Sequence, residues 1–253
     1  SSIISIYDVP DDQGGHVFIN WNANSLDVFQ NETLTHYSVF RYIPNERGWE
    51  LLDEIPANHL SDYAYVAPTI QISIPDDNII HETEYFIRAH EGSNYYDSDI
   101  LSGYSIDNIF PEIPSNLTAK IEDEKFILSW SEPFYDDFSY FTLFIDDNES
   151  IDISIPLYEN NDGINNHSYY LQATDVNGNI SDSSNTLYFN KGNLNFDSSV
   201  DVIDIIVLID IIIEIFEYNY TPTETEIYLS DIYEDDQLNI IDIVGLVNII
   251  LER

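Results

Sequence analysis

With 253 residues, 43% of them apolar and 14% aromatic, the chain can fill one large domain or two to three small ones and lacks the composition of a disordered protein. Its 47 Asp and Glu against 7 Lys and Arg leave a formal charge of −40, which repels nucleic acid and anionic lipid and draws divalent cations. The absence of Cys excludes disulfides, thiolate metal sites and thiol catalysis, and with no Met even at position 1 a processed or truncated start at Ser1 is expected.

Residues 1–110 read as short strands. Val17, Ile19 and Trp21 alternate with polar or smaller neighbours, as do Tyr37, Val39 and Arg41, and then Tyr85, Ile87 and Ala89. That period of two belongs to strands with one buried face. Pro10–Gly15, Pro44–Gly48, Pro56 and Pro75–Asp77 punctuate them. Short strands at regular spacing with no helical period predict an antiparallel sandwich. After a stiff hinge, Pro111-Glu-Ile-Pro114, the scheme repeats over residues 111–190. Phe126, Leu128 and Trp130 take the places of Val17, Ile19 and Trp21; Phe141 and Leu143 those of Tyr37 and Val39; Tyr169, Leu171 and Ala173 those of Tyr85, Ile87 and Ala89. Two copies of one strand grammar predict two sandwiches in tandem.

The Trp closing an early strand (Trp21, Trp130) and the Tyr-x-[Ile/Leu]-x-Ala strands (Tyr85–Ala89, Tyr169–Ala173) carry a resemblance. So does the continuation Ala173-Thr-Asp-Val-Asn-Gly-Asn179. Over residues 1–190 the sequence resembles tandem fibronectin type III domains, which implies a spacer or adhesive role without catalysis.

Past residue 190 the grammar changes. Asn193, Asn195, Asp197, Asp201 and Asp204 place side-chain oxygens at positions 1, 3, 5, 9 and 12 of a loop, a spacing that wraps one hard cation and takes its last carboxylate from the first turn of a helix. The apolar run Val202–Phe216 follows, and with Asp204, Asp210 and Glu214 inside it, it is too short and too charged for a bilayer span of about 20 residues. Asp231, Asp235, Asn239 and Asp242 recur 38 residues after Asn193, Asp197, Asp201 and Asp204. Tyr218–Ser230, between the copies, reads as a polar connector with room for a short irregular helix.

Residues 192–215 and 230–253 align without gaps, and they share Asp197/Asp235, Asp204/Asp242, Leu208/Leu246 and Ile211/Ile249 among other pairs. This duplication resembles a type I dockerin, an all-α module of paired calcium loop-helix units, over residues 191–253. The resemblance implies one or two calcium ions. In loop one Asn193, Asn195 and Asp197 would give side-chain oxygens, Ser199 its carbonyl, Asp201 a direct or water-mediated contact, and Asp204 the closing carboxylate. In loop two the set is Asp231, Asp235, Gln237 through its carbonyl, Asn239 and Asp242. Position 6, where the left-handed backbone favours Gly, is Ser198 in one loop and Asp236 in the other, and position 3 of loop two is Tyr233. Loop one is expected to bind more tightly, with loop two using water or Glu234 in place of Tyr233. A plain alternative is an Asp/Asn-rich turn capping a helix through Asp201 or Asp204.

The remaining signals are weak. The six His are scattered without ligand spacing, and there is no nucleophile elbow or phosphate-cradling loop. Trp49 and Tyr95-Tyr96 are read as packing residues before a sugar platform. The expectation is a mainly β, non-enzymatic, extracellular or cell-surface protein, with sandwiches over 1–110 and 111–190 and a calcium-binding module over 191–253. It would dock on a protein partner, a cohesin-like domain or another copy of itself, the latter giving a homopolymer, with no nucleic acid. The alternatives are an accessory region anchoring a larger secreted enzyme, and a carbohydrate-binding module.

Overall fold

The punctuated alternation becomes strands with one face in and one face out. In the computed structural model, which describes all residues except 45–47, 75–77, 132–134, 161–165 and 253, the chain divides into two compact units. One is Ser1–Ile109 with Asn177–Asn179; the other is Phe110–Val176 with Ile180–Arg253. The turn expected at Pro75–Asp77 and the centre of the one at Pro44–Gly48 lie outside the described residues.

The first unit comprises β1 (Ser2–Asp8), β2 (His16–Asn22), β3 (Leu34–Ile43), β4 (Gly48–Pro56), β5 (Asp62–Pro68), β6 (Ile72–Ser73), β7 (Thr83–Glu91), β8 (Asn94–Asp97), β9 (Leu101–Gly103) and β10 (Ser105–Ile106). One sheet runs β1-β2-β5 and the other β4-β3-β7-β8, with β9 also on β7 and a short parallel pair, β10 with β6. The predicted rows supply the core: Val17, Ile19, Trp21, Tyr37, Val39, Tyr85, Ile87 and Ala89 are all fully buried in one cluster. Trp21 stacks on Tyr63 at 5.7 Å and meets Tyr37 edge-on at 6.0 Å. Arg41, in register with that row, cannot bury its charge unpaired; it bonds the Pro68 and Thr69 carbonyls (3.2 and 3.3 Å) and Glu50 (2.6 Å).

Beside this core lies a buried carboxylate. Asp27 accepts from the Tyr63 hydroxyl (2.6 Å), the Tyr37 hydroxyl (3.0 Å) and the His59 amide (2.9 Å). Burial first, and the Asp27 charge with it, hold both phenols above their ordinary pKa.

The second unit repeats the plan with β11 (Thr118–Glu122), β12 (Lys125–Ser129), β13 (Phe138–Ile145), β14 (Glu149–Ile153), β15 (Leu157–Asn160), β16 (His167–Asp175) and β17 (Leu187–Phe189). The sheets run β11-β12-β15 and β14-β13-β16-β17. Phe126, Leu128, Trp130, Phe141, Leu143, Tyr169, Leu171 and Ala173 are buried between them, as their alternation requires. Three helices follow: α1 (Val202–Tyr218), α2 (Glu224–Ser230) and α3 (Ile240–Leu251).

The connector differs from expectation. It holds a regular helix, α2, opened by a capping box between Thr223 and Glu226. Leu229 belongs to the sandwich core at 2% exposure, and Tyr228 stacks on Phe189 at 5.7 Å. Thr225 accepts the Ile121 amide of β11 at 2.7 Å, across 104 residues of sequence. The sandwich thus draws part of its core from a segment whose own sequence looks polar.

Candidate metal centre

The predicted ligand residues lie in two loops that enter α1 and α3 in the same way. Asp201 is the N-cap of α1, accepting the Ile203 amide at 2.7 Å, while Asp204 at the third helical position accepts the Asp201 amide at 2.8 Å. Asn239 and Asp242 repeat this at α3, with 2.8 and 3.0 Å bonds. In both helices reciprocal capping satisfies first-turn donors.

Loop one is a ring of contacts among the predicted residues. Asp204, fully buried, also accepts the Leu194 amide at 2.7 Å. Asp197 accepts the Ser199 amide and the Asn195 side-chain amide, both at 2.8 Å, and these bonds hold its carboxyl below the usual range. Ser199 reaches Asp201 through its hydroxyl at 3.4 Å. Asn193 is 1% exposed, and its side-chain nitrogen donates to the carbonyls of Asp197 (2.6 Å) and Tyr188 (3.1 Å). Two carbonyls accept only an N–H, so this amide cannot be turned over. Its oxygen Oδ1 is consequently fixed, buried and without a hydrogen-bond partner.

A buried acceptor left bare costs about 1–3 kcal/mol, and buried carboxylates are ordinarily paired or bound to metal. Among the described residues no Lys, Arg or His forms an ion pair with Asp204, Asp231 or Asp242. The donor set, all oxygen and drawn from carboxylate, amide and main chain, suits a hard divalent ion. Neither loop brings three carboxylates within 4.8 Å of one another among the described residues, so either set depends on its amide and carbonyl oxygens too.

Loop two carries more charge. Asp231 accepts the backbone amides of Asp235 (3.1 Å) and Asp236 (2.8 Å), Asp235 accepts that of Gln237 (3.0 Å), and the Gln237 carbonyl accepts from the Asn239 side-chain nitrogen Nδ2 (3.1 Å). Tyr233 lies against α3, where a Cβ on Gly245 would come within 2.9 Å of its ring. Glu234 pairs with Lys191 at 2.9 Å. The left-handed residue expected at position 6 is present in loop two, Asp236 at φ +61°. In loop one it is not Ser198; the left-handed residue is Phe196, at φ +60°, as is its loop-two counterpart Glu234 at +57°. Phe196 turns its ring onto Phe189 at 6.0 Å.

The helices beside the loops pack through Leu208, Leu246 and Val200, and leave an apolar stripe in solvent. Val202, Ile206, Ile209, Ile213 and Phe216 of α1, in steps of four and three residues, are each at least 37% exposed. Ile240, Ile241, Val244 and Leu251 of α3 are exposed as well. No helix among the described residues is long and apolar enough to cross a membrane. Two of the sugar-platform candidates share one sheet face: Trp49 lies edge-on to Phe86 at 4.6 Å, and Arg88 lies over both Phe86 at 5.5 Å and Tyr95 at 4.1 Å. What sequence reasoning missed was His36 stacked on His90 at 4.2 Å; they face each other across β3 and β7, a register no spacing rule reveals.

No protein-family model matches the sequence, and no curated protein does. Among solved structures, the chain is similar to the FN1-FN3 domains of chicken CNTN1 at 14% identity and a TM-score of 0.31, over 74% of this chain and 65% of that one. It is also similar to a segment of two fibronectin type III domains from chicken tenascin, at 12% identity and a TM-score of 0.42, over 74% of this chain and 99% of that one. The chain spans a little under two thirds of the CNTN1 structure's length.

Proposed function

We propose that this chain is a non-catalytic, extracellular assembly protein whose C-terminal dockerin-like loop-helix pair binds calcium and docks another protein. One observation carries the calcium reading: the buried, partnerless Oδ1 of Asn193 at position 1 of loop one. Calcium held by Asn193, Asn195, Asp197, Ser199, Asp201 and Asp204 would neutralise the buried Asp204 and fix the start of α1. Asp231, Asp235, Gln237, Asn239 and Asp242 would do the same for α3. Docking follows from the exposed stripe on both helices, because contiguous apolar surface in water favours a partner. That partner is a cohesin-like domain or another copy of this chain.

Calorimetric titration with calcium tests the reading. Uptake of one or two ions is expected, with a higher melting temperature in calcium than in chelator, and loss of the loop-one ion in Asp197→Ala with Asp204→Ala. An unchanged melt and no heat of binding would defeat it. Electron microscopy with and without calcium then separates the partners: calcium-dependent filaments indicate self-association, and a monomer in both conditions indicates a separate protein.

A further inference from the structure

We infer that loop one is a folding element of the second sandwich, so that a cation held there stabilises residues 110–253 as one cooperative unit and not the helices alone. This coupling rests on the calcium reading of loop one given above.

The edge strand β17 is only three residues long, and loop one pairs with it. The Tyr188 amide donates to the Phe196 carbonyl at 3.0 Å, and the Tyr188 carbonyl accepts from Asn193 Nδ2 at 3.1 Å. Asn193 therefore faces two ways. Its nitrogen holds the sheet edge, and that same rotamer leaves Oδ1 buried and unpaired, so a cation bound by Oδ1 and the strand would select one arrangement of one side chain. Phe196, two residues from Leu194 in the same loop, adopts its left-handed backbone and stacks on Phe189, which is fully buried in the sandwich core. Gly192 donates to the Leu229 carbonyl at 2.8 Å, tying the start of the loop to α2, whose Leu229 is itself a core residue. Each contact places loop-one geometry inside the sandwich. An ion that binds only this arrangement raises the folding equilibrium constant of everything that unfolds with it by the factor 1 + [L]/Kd.

Hydrogen exchange on the full chain tests the coupling, with calcium binding measured in parallel by calorimetry. At free calcium about a hundredfold above Kd, the slowest amides of β12, β13 and β16 are expected to exchange about a hundredfold more slowly than in chelator. The amides of β2, β3 and β7 serve as the internal reference. Measured calcium binding with slowing confined to residues 191–253 overturns the coupling and leaves the calcium reading standing. No measurable calcium binding overturns both.

Discussion

Asn193 is where a single atom can be tested. In Asn193→Ala the donated bonds to Tyr188 and Asp197 are lost together with Oδ1. At about 0.5–1.5 kcal/mol per hydrogen bond the lost bonds cost roughly 1–3 kcal/mol in chelator, and removal of the bare Oδ1 recovers about the same amount. The melt of the variant in chelator should therefore stay close to the native one. In calcium at about a hundredfold over Kd the native chain gains about 2.7 kcal/mol, and Asn193→Ala should lose most of that gain. Asn193→Asp separates the two roles of the amide. It sets a carboxylate oxygen against two carbonyls, so it is at least as unstable as the Ala variant in chelator. The added charge strengthens the ion site, and its calcium-induced shift should exceed that of the native chain. Melts followed by circular dichroism, with and without calcium, give the order of shifts as Asp above Asn above Ala. A full native shift in Asn193→Ala would show that Oδ1 is no ligand.

Two further predictions concern the first unit. Asp27→Ala removes a buried acceptor of three hydrogen bonds and should cost at least about 3 kcal/mol in denaturant unfolding; a loss under about 1 kcal/mol would mean the cluster is dispensable. Burial, and then the charges of His36 and Arg88, lower the pKa of His90, against the opposing pull of Glu54 and Asp97. The unfolded chain thus takes up this proton first. Its contribution is present above about pH 6.5 and is lost as pH falls through the lower, folded value. His90→Asn should flatten that segment of the stability profile; an unaltered profile would assign the pH dependence elsewhere.

The strands were legible because their signal is local. Val17, Ile19 and Trp21, and their counterparts Phe126, Leu128 and Trp130, declare one buried face by alternation alone, and turn residues set where each row stops. The capped entries to α1 and α3 were legible for the same reason, since capping operates within a few residues. Legible too was the apolar character of α1, but not which of its sides stays in water. Tertiary structure alone decided that Leu229 and Thr225 belong to a sandwich whose β11 lies about a hundred residues earlier. It set the left-handed residue of loop one at Phe196 and not at Ser198. It also left Asn193 Oδ1 bare by spending the amide nitrogen on β17. Periodicity reports what each segment must bury. Which distant surface buries it depends on closing long loops around a shared core, and no window of sequence contains both sides of that contact.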